Sequence, residues 1–172
     1  LVARKAALGF DMKVLAFDPY AKELPDYIIP VSSREEVFEK ADYVSLHVPA
    51  TPETVNSVGE KELAGMKKTA FLINTARGSI IDEEALIKAL EEKQIAGAAL
   101  DVTREEPFSR ENPLLEMDNV LTAPHIGAAT KEASSRSSLA CAEGIDDFLS
   151  GRTPKYPVPP MREQLEQMNF TK

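Results

Sequence analysis

The sequence has one cysteine, no pair of cysteines or histidines at metal-ligand spacing, no glycine-rich phosphate loop and no excess of positive charge. Each absence excludes something. With Cys141 alone, no intrachain disulfide can form, which fits a reducing compartment, and the expected location is the cytoplasm. No metal site is expected, because its ligands are not there in any recognisable spacing. A net charge of −8 argues against nucleic acid or an anionic membrane surface as a partner, since both require a basic patch. No apolar run approaches the ~20 residues of a membrane-spanning helix. No nucleophile elbow, internal repeat or low-complexity tract is visible. The apolar share of 43% and charged share of 28% are those of an ordinary globular chain, and 172 residues suffice for a sizeable core. The first residues are also unusual. Val2, Ala6 and Gly9 follow helical spacing, with Gly9 as the expected stop, but no capping residue precedes them. The expectation is a chain that starts inside an element and is a piece of something longer.

What is present is an alternation of short apolar runs with amphipathic segments. Met12–Phe17 reads as a buried strand ending in Asp18, and Ile28–Val31 as a short second strand. Ser32 or Ser33 is placed to cap a helix over Arg34–Lys40, with Glu36 placed for a capping box to Ser33. Ala41–Pro49 is a third strand, followed by a turn at Thr51–Thr54 and a short helix over Glu60–Met66. Thr69–Ile73 is the central strand. Asp82 caps a helix over Glu83–Lys93. Its apolar stripe is Ala85, Leu86, Ala89 and Leu90, and Glu84 is placed to pair with Lys88. Ile95–Val102 is a strand whose small residues predict close helix packing, and Asn119–Ala123 is a last strand. A long helix from Lys131 to Leu149 carries Thr130 as a cap, ends at Gly151, and is rich enough in Ala and Ser to pack closely on a neighbour. Thr153–Pro160 should be extended, and Met161–Lys172 weakly helical or mobile. This alternation implies a doubly wound parallel sheet of the α/β class. Residues 1–150 are expected to form one domain, with 151–172 as an extended tail.

In parallel sheets, ligands bind outside the carboxyl ends of the strands. Arg77, Glu106 and His125 follow three such ends, so the topology directs them toward one crevice. An imidazole can give or take a proton near neutral pH, a carboxylate can orient it, and a guanidinium can grip a substrate carboxylate through two hydrogen bonds. The competing reading is a turn Arg, a Glu in a solvated acidic loop and a His capping a helix. Asp18 ends the first strand, where an acid in a dinucleotide fold bonds the adenosine ribose. No Arg or Lys follows immediately to receive a 2′-phosphate, the next residues being Pro19 and Tyr20, which favours NAD over NADP. A turn role is the alternative for Asp18. The glycine loop belonging to such an acid should lie about 20 residues earlier, a point that falls before Leu1. His47 lines the cofactor pocket or is structural.

Three segments, LINTARGSIIDEEAL, AGAALDVTREEP and NVLTAPHIGAAT, in this order and spacing, resemble the D-isomer-specific 2-hydroxyacid dehydrogenases, in particular members like D-3-phosphoglycerate dehydrogenase. The resemblance runs from about Leu1 to Pro157. It implies a Rossmann-like NAD-binding domain without its first strand and glycine loop, and a separate substrate domain lying outside this chain. It implies that Arg77 binds the substrate carboxylate and carbonyl, that Glu106 pairs with the catalytic His125, and that Asp18 holds the ribose. Thr75, Ala76, Asp101 and the turn from His125 through Gly127 to Ala128 match positions lining the nicotinamide end. The implied partner is a small 2-hydroxy or 2-keto acid, exchanged by hydride transfer in a homodimer or larger assembly of the serine-biosynthesis type. Thr103 departs from the family, in which an aromatic residue is common, and is expected to alter packing beside its loop. A dinucleotide-sensing, corepressor-like binding protein and an inactive fragment are the rival readings.

Overall fold

The computed structural model describes residues 1–158. Their order is α1 (Val2–Phe10), β1 (Val14–Ala16), β2 (Ile28–Pro30), α2 (Arg34–Lys40), β3 (Tyr43–Leu46), α3 (Glu60–Gly65), β4 (Phe71–Asn74), α4 (Glu83–Glu91), β5 (Gly97–Leu100), β6 (Val120–Thr122) and α5 (Lys131–Leu149). Contacts divide the chain into two units, Leu1–His125 and the remainder from Ile126.

In the first unit every strand pair is parallel. β3, β4, β5 and β6 form one sheet in that order, and β1 pairs with β2 in a second. The larger sheet is built from alternation. Val44, Leu72 and Ala98 stand in register and are buried, as are Leu46, Asn74 and Leu100 two residues on. Phe38, Leu63, Leu86, Leu90 and Ile95 complete a single core with that face, and α2, α3 and α4 pack successively against one another. On the alternate face Tyr43 stacks on Phe71 at a centroid distance of 5.7 Å, with both rings partly exposed. Among the described residues no strand pairs with the second edge of β1 or of β3.

The elements fall where the sequence places them, with differences at their ends that have local causes. α1 continues through Gly9, and Asp11 takes the left-handed position at φ 53°, with Met12 N–H donating to Ala6 O at 3.1 Å. An Asp tolerates that conformation, so glycine was not needed there. At α2, Ser33 Oγ accepts from Glu36 N–H as expected. The Glu36 carboxylate, however, reaches Ser32 N and Oγ instead of closing a box onto Ser33. Lys88 does not pair along its own helix with Glu84; it crosses to Glu60 of α3 at 2.9 Å. The close approach at Gly97 is to the Asn119 carbonyl and the Phe71 ring rather than to a helix.

In the second unit, Thr130 Oγ1 accepts from Ala133 N–H and starts α5, and Gly151 follows its end at φ 72°. None of the residues of α5 is buried. Cys141, Ile145 and Phe148 instead line a shallow open groove with Pro154 and Tyr156. The expectation for Met161–Lys172, and for the last two prolines of the tail, lies outside the described residues.

The two faces of β4 make opposite demands. Leu72 is fully buried, so Leu72→Ala should cost about 3 kcal/mol of unfolding free energy in urea denaturation, whereas the half-exposed Phe71 should cost much less on truncation. Equal losses would mean that the core does not lie on the Leu72 face.

Candidate functional site

β4 ends at Asn74, whose side chain is completely buried and shapes the turn that follows. Its Oδ1 accepts from Ala76 N–H at 3.0 Å, and its Nδ2 donates to Arg77 O at 2.9 Å. One amide therefore satisfies both sides of the turn and fixes Arg77 as it leaves the strand. The chain then enters a single 3-10 turn, Gly78–Ile80. Gly78 lies directly against the backbone of Thr103 and Arg104, so closely that a Cβ would collide with the Thr103 carbonyl. Only glycine lets the β4 turn and the loop after β5 touch there.

That loop carries Glu106. Thr103 is buried, and its hydroxyl donates to Glu105 O at 2.7 Å. Thr103 N–H donates to Glu106 Oε1 at 3.3 Å. The support given to Glu106 is thus from the backbone, and the departure at Thr103 leaves it in place. β6 delivers His125. Its backbone N–H donates to Asp101 O at 2.8 Å and Ala123 O at 3.0 Å, and the residue adopts the left-handed region at φ 54°. A non-glycine residue held there marks an over-determined position. The ring Nδ1 lies 2.8 Å from Glu106 Oε2.

The hydrogen bond from His125 is the largest influence on Glu106 and holds its carboxyl below the usual carboxylate range; Thr103 N–H and the nearby positive charges of His125 and Arg77 act in the same direction. An ionised carboxylate can only accept, so Nδ1 carries the proton and Nε2 is the ring nitrogen without a partner among the described residues. The structure thus pairs Glu106 with His125, whose backbone N–H is held by Asp101 O, while Arg77 acts on the Glu106 charge without touching the pair and donates from Nη1 to Ala76 O at 2.6 Å. All three side chains are partly open to solvent.

The other sequence-predicted positions lie elsewhere. Asp18 follows β1 in the two-stranded sheet, exposed, with Oδ1 accepting from Tyr20 N–H at 2.9 Å and its second oxygen unpartnered among the described residues. His47 lies one residue past β3, exposed, with Nε2 2.9 Å from Ser45 Oγ. Thr75 is exposed, and Ala76 packs against the core. Gly127 and Ala128 belong to the second unit. Asn74 and Gly78 were missed as shaping residues. A polar Asn closing an apolar run, two residues before Arg77, was the available signal for the first; the second depends on a contact distant in sequence. Among the described residues no group of three or more His, Cys, Asp or Glu is placed to hold a metal ion, and no helix is long and apolar enough to cross a membrane.

Residues 1–127 match the family model of the D-isomer specific 2-hydroxyacid dehydrogenase, NAD binding domain. The chain belongs to this family. It is 44% identical over 158 residues to the glyoxylate reductase of Korarchaeum cryptofilum, covering 89% of this chain and 46% of that protein. It is also 44% identical over 150 residues to the D-3-phosphoglycerate dehydrogenase of Methanocaldococcus jannaschii, covering 86% of this chain and 28% of that protein. Among solved structures, the NAD-complexed D-isomer specific 2-hydroxyacid dehydrogenase of Lactobacillus delbrueckii ssp. bulgaricus superposes with a TM-score of 0.80 at 33% identity, covering 91% of this chain and 52% of that one. The chain therefore spans about half the length, or less, of these relatives. The residues present fit the family's cofactor, NAD, at its adenosine end. Asp18 offers an unpartnered carboxylate oxygen to ribose hydroxyls, and Pro19 and Tyr20 supply no cation for a 2′-phosphate.

The lowered value of Glu106 gives a pH prediction. A carboxylate whose folded value is depressed contributes its pairing above the ordinary carboxylate value and loses it as the pH falls through the depressed one. In an NMR titration, Glu106 should stay ionised to lower pH than the chain's solvent-exposed, unpaired glutamates, and His125→Ala should raise its midpoint toward theirs. An unchanged midpoint in that variant would show that the ring is not what holds the charge.

Proposed function

We propose that this chain is the greater part of the catalytic NAD-binding domain of an oxidoreductase that interconverts D-2-hydroxy acids and 2-keto acids. Residues 1–150 belong to that domain, and a substrate domain lies elsewhere in the polypeptide. The observation that carries the reading is the Glu106–His125 hydrogen bond, which commits Nδ1 and leaves Nε2 for a substrate oxygen. In reduction of a keto acid, His125 gives the proton that turns the carbonyl oxygen into a hydroxyl, and in oxidation it takes that proton back. Glu106 holds the ring with Nδ1 protonated, so the proton exchanged with substrate is the one at Nε2. Arg77 grips the substrate carboxylate and polarises the carbonyl. The nicotinamide of NAD supplies or accepts the hydride at C2. Asp18 selects NAD by binding the ribose hydroxyls, and its charge repels a 2′-phosphate. Thr75, Ala76 and Asp101 line the nicotinamide end, and His47 lines the cofactor pocket.

The unpaired edges of β1 and β3 support one further element of this reading. A doubly wound sheet of order 3-2-1-4-5-6 reads here as β2, β1, an open place, then β3, β4 and β5. A strand from the rest of the polypeptide, leading into a glycine-rich phosphate loop, fills that place.

The narrower substrate reading is 3-phosphoglycerate, as in serine biosynthesis, with glyoxylate as its rival; relatives of both names match at similar identity. In the full-length protein, His125→Ala should lower kcat by ~10²–10⁴, the usual worth of a general acid/base. An undiminished kcat would remove His125, and with it this mechanism.

A further inference from the structure

Glu83 is the first residue of α4, and the simple account of an acid there is its favourable interaction with the helix N-terminus. Its contacts go further. Oε2 accepts from Arg104 N–H at 3.4 Å, and Oε1 accepts from Asn112 Nδ2 at 2.9 Å. Arg104 and Asn112 are the two ends of the loop segment 105–111, and that segment carries Glu106. A single carboxylate thus holds both ends of the loop to α4. Each end is anchored again beyond this contact. Arg104 Nη1 donates to Asn56 Oδ1 at 3.0 Å, and Asn112 Oδ1 accepts from Leu114 N–H at 3.0 Å beside a fully buried Leu114. Phe108, at the middle of the loop, packs on the core. Glu84, the next residue of the same first turn, is exposed and reaches none of these groups.

We propose that Glu83 is a positioning residue, whose carboxylate bridges Arg104 and Asn112 to close the loop stem and so hold Glu106 against His125. The physical basis is loop closure. Pinning both ends of a short segment removes the freedom that would let Glu106 swing away into solvent, where its partly exposed side chain has water as an alternative partner. With the stem open, the Nδ1–H tautomer of His125 loses the acceptor that selects it.

This inference rests on Glu106 and His125 being the acid/base pair, and the two can fail separately. Undiminished kcat in the full-length His125→Ala protein removes the pair from catalysis but leaves the clamp standing. The clamp is tested on the full-length protein by the ring nitrogen shifts at a pH where the imidazoles are neutral, with the His125 signals assigned by their loss in His125→Ala. In Glu83→Ala the ratio of Nδ1–H to Nε2–H tautomer at His125 should fall by about fivefold or more, toward that lost in Glu106→Gln, where the charge-assisted bond is removed outright. Asn112→Asp keeps the oxygen that accepts from Leu114 N–H but turns a carboxylate toward Glu83; it should give the same fall without touching α4, and it decides alone if Glu83→Ala does not fold. Glu84→Ala, which removes equal charge from the same helix turn, should leave the ratio unchanged. A wild-type ratio in both Glu83→Ala and Asn112→Asp, or a fall as large in Glu84→Ala, overturns the proposal.

Discussion

Parallel pairing brings the carboxyl ends of β3, β4, β5 and β6 to one edge of the sheet, and the register sets where each chain leaves it. Leu46, Asn74 and Leu100 stand opposite one another across three strands, with Thr122 completing the row on β6. Arg77, Glu106 and His125 are all delivered from that row or beyond it. Arg77 leaves after Asn74, Glu106 after Leu100 and His125 after Thr122. Antiparallel pairing of any one strand would send its exit to the opposite edge and dissolve the group. The buried alternation of Val44, Leu72 and Ala98 is what makes that register costly to change, because a slip by one residue would exchange the core face for the exposed one.

Strand ends alone do not bring side chains to hydrogen-bonding distance. The exits are tied together by short-range devices. The Asn74 amide closes the β4 turn, the missing side chain at Gly78 lets that turn touch Thr103, and the His125 backbone N–H is held by Asp101 O. The result is a carboxylate kept ionised by an imidazole and a nearby guanidinium, in a group still partly open to solvent. Such openness suits the proposed site, in which Arg77 would receive a substrate carboxylate and His125 Nε2 a carbonyl oxygen.

How much of this could be read from the chain depends on how local each cause is. Arg77, Glu106 and His125 were legible because each follows an apolar run, and parallel topology converts run ends into neighbours. The helix over 83–91 was legible because Asp82, the stripe from Ala85 to Leu90 and the first-turn acids agree with one another. Strands came out shorter than their apolar runs, since ladder pairing ends before hydrophobicity does: β5 spans Gly97–Leu100 inside the run 95–102. What could not be read was cross-element. Lys88 had an acid within its own helix and chose Glu60 on α3. Gly97 meets a backbone carbonyl and an aromatic ring instead of a helix, and Asp11 does a glycine's work at the end of α1. Asn74 was visible as a letter in a motif, but its role required knowing that it is wholly enclosed. Family resemblance added the roles of the three strand-end residues, which spacing by itself left open against bland alternatives.

The most direct test of the account is to give the full-length protein NADH and a panel of 2-keto acids, including glyoxylate, pyruvate, hydroxypyruvate and 3-phosphohydroxypyruvate, and to determine the configuration of each chiral product. The account predicts turnover with NADH preferred over NADPH and a D-hydroxy acid product. An L-product, or NADH binding without turnover of any 2-keto acid, would contradict it.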